Sequence, residues 1–233
     1  MSALVVGEPA APAYLLAVAG TAAFLGHEAL LVLLGQRGSR AARDQRSAAW
    51  RSATLFGGLA VVAGAAALVT LPSRLLVTLL LPLVLALAVG VFVARGRERS
   101  TLGEVVVATA LSSLSLPVAL AGGASPAGAA TLFIVFAIVF ALATVAVRAL
   151  IGRTARAGGP PPLLAGVVTV GAIGVLFVLA AREVLAAVAP YSALPVAAVA
   201  LALTVRPPSP RHLRTIGWTL VGATAAAWVC SRE

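Results

Sequence analysis

Leu75–Ala94 reads LLVTLLLPLVLALAVGVFVA, and Arg95, Arg97 and Arg99 follow within five residues. This stretch holds no charge and matches the ~20 apolar residues that a helix needs to cross a hydrocarbon core. The basic cluster behind it is what stops such a segment at a membrane surface. Similar runs recur on both sides of it. The expected spans are Pro12–Gly35, Ser52–Thr70, Leu75–Ala94, Gly103–Gly122, Ala127–Val147, Leu163–Ala181, Tyr191–Val205 and Thr215–Cys230. The seventh is short, is expected to bend at Pro190 and Pro195, and has an alternative start near Glu183. The predicted fold class is therefore all-α: a polytopic transmembrane bundle of about eight helices forming one transmembrane domain over residues 1–233.

Composition agrees. Hydrophobic residues make up 61% of the chain and charged residues 10%, with a mean hydropathy of +1.07. A soluble domain carries roughly 25% charged residues, so no water-exposed surface of ordinary polarity can be built here. No polar segment is long enough for a separate soluble domain.

The formal net charge is +10, and every one of the seventeen basic residues is Arg. Fourteen of them fall in alternate connections: Arg37, Arg40, Arg43, Arg46 and Arg51; Arg95, Arg97 and Arg99; Arg148, Arg153 and Arg156; Arg206, Arg211 and Arg214. The opposite side holds Arg74, Arg182 and Arg232. The positive-inside rule makes the rich side cytoplasmic and puts both termini outside. The expected location is the bacterial cytoplasmic (inner) membrane, and the expected partners are anionic lipid headgroups, not nucleic acid. Tyr14, Trp50, Tyr191, Trp218 and Trp228 fall near span ends, where such rings favour the headgroup layer. One cysteine, Cys230, rules out an intrachain disulfide and any cysteine-based metal site. No secretory signal peptide is expected, since the first basic residue is Arg37.

Ala60 with Gly64, and Gly222 with Ala226, have the small-xxx-small spacing that lets helices approach closely in lipid. Leu81-Pro82 and Leu194-Pro195 lie 113 residues apart, and Thr101-Leu102-Gly103 and Thr215-Ile216-Gly217 lie 114 apart. The expectation drawn from this spacing is an internal repeat of two parallel four-helix halves, residues 12–122 and 127–230, with any cavity between them.

The order of several motifs resembles a known family. His27-Glu28-Ala29-Leu30-Leu31-Val32-Leu33-Leu34-Gly35-Gln36-Arg37-Gly38 resembles the second-helix region of YwiC-like membrane proteins. Arg97-Glu98-Arg99-Ser100-Thr101-Leu102-Gly103-Glu104, Val147-Arg148, and Arg211-His212-Leu213-Arg214-Thr215-Ile216-Gly217-Trp218 resemble later segments in order. The family's initial helix with a Glu-His-Gly-Ala-Trp run has no counterpart; Met1–Gly7 looks like its tail, and the start is expected to be late relative to the family. YwiC-like proteins are similar to the UbiA superfamily of nine-helix intramembrane prenyltransferases, which implies a UbiA-like bundle. Those enzymes hold magnesium and a prenyl diphosphate with two Asp-rich motifs. This chain has one Asp, Asp44, and no acid in Arg148–Pro162. That chemistry is disfavoured, and no metal or cofactor is expected.

The candidate ligand-binding residues are His27, Glu28, Arg37, Arg97, Glu98, Arg99, Glu104 and Arg148. Glu28 lies roughly 12 Å before Gln36 along a helix, where a charge costs a few kcal/mol unless it finds a partner. It reads either as a proton carrier or ligand anchor, or as one side of an interhelical bond or a snorkelling carboxylate. His27 is expected to be structural. Arg97 and Arg99 could cradle a phosphate at a helix start, or simply set topology. Thr101-x-x-Glu104 fits a capping box for the fourth span, and Arg37 and Arg148 fit topology and lipid contact. No phosphate-binding loop, serine-hydrolase elbow or zinc motif occurs. Three functions are compatible with this pattern: binding an amphiphilic or isoprenoid/lipid-phosphate ligand at the cytoplasmic side, small-solute or proton-coupled transport, and a structural role in a membrane complex.

Overall fold

The computed structural model describes residues 10–154, 160–206 and 213–230. Met1–Gly7, Arg156, Arg211 and His212 lie outside the described residues. The described chain is helical, with no strand. Its helices are α1 (Ala11–Leu33), α2 (Ser39–Asp44), α3 (Arg46–Thr70), α4 (Leu80–Ala94, entered through a 3-10 segment at Ser73–Leu79), α5 (Thr101–Ser113), α6 (Ser115–Ala121), α7 (Pro126–Thr154), α8 (Pro162–Ala181), α9 (Ala189–Val205) and α10 (Leu213–Cys230). Each expected span coincides with helix. Six segments among the described residues are long and apolar enough to cross a membrane, and Ala189–Val205 is a shorter apolar helix. The protein is a multi-pass membrane protein.

Several boundaries differ from expectation: α3 begins at Arg46, not Ser52, and α7 runs on to Thr154, past Val147. The fourth span is two helices, α5 and α6, interrupted at Leu114. Pro117 explains the break: it has no N–H for the Ser113 carbonyl four residues back, and its ring crowds that carbonyl. The seventh helix begins at Ala189, earlier than Tyr191 and later than Glu183. Pro190 occupies its first turn, where a missing N–H is harmless. Glu183 instead ends α8. It takes a left-handed φ of 57°, while its N–H and that of Val184 bond the carbonyls of Ala180 and Leu179.

The chain forms two compact units, Met1–Glu98 with Ser113–Ser125, and Arg99–Ser112 with Pro126–Glu233. In the first, α1 packs along α3 through small residues. Ala22, Ala29, Ala63 and Ala67 are buried there. A Cβ on Gly26 would sit 3.6 Å from the Phe56 Cβ and the Gly57 backbone N, and one on Gly64 would sit 3.9 Å from the Ala19 Cβ. Close approach through small side chains is how helices gain dispersion contacts in lipid, where burial itself offers little. Gly222, expected from sequence to be a close-packing position, has open space where a side chain would go, and so do Gly57 and Gly58. On another side of α1, a Cβ on Gly20 would lie only 2.7 Å from a Leu114 methyl. Along the Ser73–Ala94 span Pro82 is the one buried residue.

In the second unit α9 is the hub, in contact with α7, α8 and α10. It buries Ala189, Pro190, Ser192, Ala193, Val196, Ala197, Ala200 and Leu203. Val196 meets Val135 and Val139 of α7 and Leu176 of α8, and Ala200 and Leu203 meet Ala146, Leu150 and Ile216. The buried hydroxyls of Thr169 and Ser192 donate to Ala165 and Ala189 of their own helices. That satisfies them without an interhelical partner.

Candidate functional site

Two helices end in the same way, and those endings build the first cluster. At the end of α1, Gly35 takes φ +74°; its N–H donates to the Val32 carbonyl and that of Gln36 to Leu31. At the end of α4, Gly96 takes φ +61°; its N–H donates to Val93 and that of Arg97 to Phe92. A left-handed residue here favours glycine and turns the chain back over its own helix. In each case the residue two positions after the glycine then meets α1. Arg37 donates from Nη2 to both carboxylate oxygens of Glu28. Glu98 brings its Oε1 within 3.5 Å of the His27 Nε2. The Gln36 side-chain amide donates to the Val93 carbonyl at 2.5 Å, tying the two endings together.

His27 and Glu28, adjacent in sequence, therefore serve different partners. Consecutive helical residues point about 100° apart, so one faces the α4 ending and the other faces Arg37. Glu98 is buried at 9% exposure, and the His27 Nε2 is buried and makes no hydrogen bond among the described residues. Arg97 has an interaction partner of its own.

The second cluster lies in the other unit. Arg148 of α7 donates from Nε to Glu104 Oε2 at 2.6 Å and from Nη2 to Glu104 Oε1, and Nη2 also reaches the Arg99 carbonyl. The expected capping box at Thr101 is not what forms. Ser100 is the cap: its hydroxyl accepts the Gly103 N–H at 3.0 Å, and its carbonyl accepts that of Glu104. Glu104 is one residue too late to reach back, so its carboxylate is left for Arg148. Among the described residues no three His, Cys, Asp or Glu side chains gather as a metal-holding group.

A groove not expected from the sequence lies between α1 and α3. An apolar stretch of about 190 Å³ runs from Tyr14 past Val18 and Thr21 to Leu25, Phe56 and Leu59. A wider stretch of about 380 Å³ shares Leu25 and Phe56 and adds Glu28, Val32, Gln45, Ala49 and Ser52. From Tyr14 to Glu28 is roughly 21 Å along α1 at 1.5 Å per residue. The groove is thus apolar through most of its length and polar where the arginine-bearing connection begins. The spacing Gln45, Ala49, Ser52, Phe56 is the signal that marks this face of α3 in the sequence.

A family model described as YwiC-like protein matches residues 1–120, just over half of the chain. The match takes in α1, both glycine-terminated endings and the whole groove; Arg148 lies beyond it. No curated protein and no solved structure matches the chain. The chain belongs to the YwiC-like protein family.

Proposed function

We propose that this protein binds an amphiphile at the arginine-rich end of its first unit, with a lipid or isoprenoid phosphate as the ligand class. The carrying observation is the groove between α1 and α3, whose apolar length leads into a polar end at Glu28, Gln45 and Ser52. That order of surfaces matches an acyl or prenyl tail followed by a headgroup. Arg46 and Arg51, exposed and next in sequence to Gln45 and Ser52, supply positive charge near that end. Such charge attracts the phosphate that every head of this ligand class carries. The resemblance to intramembrane prenyltransferases suits an isoprenoid tail. The reading includes the bacterial cytoplasmic membrane as location, with the arginine-rich connections in the cytoplasm.

The test is mass spectrometry of lipid retained through purification in mild detergent. Wild type is expected to hold one lipid class well above its share of the membrane. Leu25→Trp, at a residue common to both stretches of the groove and 43% exposed, fills the space without disturbing the core; it is expected to lose that lipid. Retention that is unselective, or unchanged in Leu25→Trp, removes the proposal. Thiol labelling of single cysteines placed in the Arg40 and Arg95 connections, in a Cys230→Ser background, tests the orientation: both should react only from the cytoplasmic face.

A further inference from the structure

Resting on the amphiphile reading above, we infer that the groove selects a phospholipid whose headgroup carries a primary amine beside its phosphate. No basic side chain lines the polar end of the groove; Glu28, Gln45 and Ser52 do. A carboxylate can only accept hydrogen bonds, so it rejects a bare phosphate and calls for N–H or O–H donors. Arg37 contacts both Glu28 oxygens through a single nitrogen. A carboxylate has about four lone-pair sites, so acceptor capacity remains, and the Glu28 side chain is 54% exposed. Gln45 and Ser52 offer N–H and O–H donors, and among the described residues neither side chain has a hydrogen-bond partner.

Acceptor and donors stand on different helices, Glu28 on α1 and the other two on or beside the start of α3, with the groove between them. A headgroup laid across the groove would therefore meet an anion on one wall and neutral donors on the other. A phosphoethanolamine head presents that pair of groups: an ammonium with three N–H donors for Glu28, and phosphate oxygens for the Gln45 amide and the Ser52 hydroxyl. The apolar stretch toward Tyr14 takes an acyl chain. A trimethylated amine keeps the charge but has no N–H, and a glycerol head has donors but no charge. Charge-assisted hydrogen bonds are roughly twice as strong as neutral ones, so both analogues are expected to bind more weakly.

The experiment uses the full chain in nanodiscs of equimolar phosphatidylethanolamine, phosphatidylcholine and phosphatidylglycerol, followed by detergent stripping and counting of retained lipid. Phosphatidylethanolamine should be held about tenfold over each of the others. Its N-methyl and N,N-dimethyl forms should fall in between, one step per N–H removed. Glu28→Gln should abolish the preference and, by freeing Arg37, turn it toward phosphatidylglycerol. Equal retention of the choline lipid, a wild-type preference for the glycerol lipid, or an amine preference that survives Glu28→Gln overturns the inference. If a different lipid is held and Leu25→Trp releases it, the amine inference fails and the amphiphile reading stands. If wild type holds no more lipid than Leu25→Trp, both fail.

Discussion

Arg148 is the residue whose replacement should reveal most about the second unit. Its side chain is 19% exposed and that of its partner, Glu104, 40% exposed. It meets both oxygens of that carboxylate and also the Arg99 carbonyl. An exposed ion pair contributes roughly 0–1 kcal/mol. Removing one member of a fully buried pair costs roughly 3–5 kcal/mol. This pair lies between those limits, and the lost bond to the exposed Arg99 carbonyl is replaced by water, so a loss of about 2 kcal/mol is expected. For a chain of this size that lowers the midpoint of thermal unfolding by about 4–8 °C. Arg148→Lys should recover less than half, because an ammonium cannot span two carboxylate oxygens and a carbonyl at once. The assay is thermal unfolding in one defined detergent for wild type, Arg148→Ala, Glu104→Gln and the double variant. Since the two residues touch, the single effects should not add, and the coupling should be about 1–2 kcal/mol. A midpoint within about 1 °C of wild type for Arg148→Ala, or a coupling below about 0.3 kcal/mol, refutes the clamp.

Three further outcomes are expected. Gly96→Ala forces a left-handed conformation onto a residue with a Cβ and should cost about 1 kcal/mol; it should also speed hydrogen exchange at Arg97, whose N–H bonds Phe92. Glu183→Gly works in the opposite sense: it relieves the left-handed φ at the end of α8 and should raise stability by about 1 kcal/mol, read as a higher unfolding midpoint. Gly20→Ile should destabilise the first unit by about 1–3 kcal/mol through overpacking against Leu114, and adding Leu114→Ala should restore part of the loss in the same unfolding measurement.

The spans were legible because the signal is coarse: long runs without charge, closed by arginine. Helix ends were less so. Pro117 carried the break in the fourth span openly, since a residue without an N–H cannot continue the ladder from Ser113. The cap at Ser100 was ambiguous because Ser100 and Thr101 are both good caps, and only backbone geometry separates them. The polar pairs were harder still. His27 and Glu28 invite reading as a unit, yet helical geometry sends neighbours to different faces. The glycine-x-Arg and glycine-x-Glu endings held the missing information, because a left-handed glycine turns the following residues back along the helix. The groove escaped notice because it is a surface shared by two helices, and its polar members, Gln45 and Ser52, look ordinary when each helix is read by itself.

The position of α9 has a consequence for how the chain enters the membrane. At 17 residues, and with Pro195 inside it, α9 is short for a helix that must partition into lipid unaided. Its neighbours supply most of its solvent: α7 and α8 precede it in synthesis and α10 follows. α9 is therefore expected to settle only after α7 and α8 are in place. Substitutions along it should be judged by volume more than by greasiness, with serine tolerated at Ala193, Ala197 and Ala200 and leucine excluded.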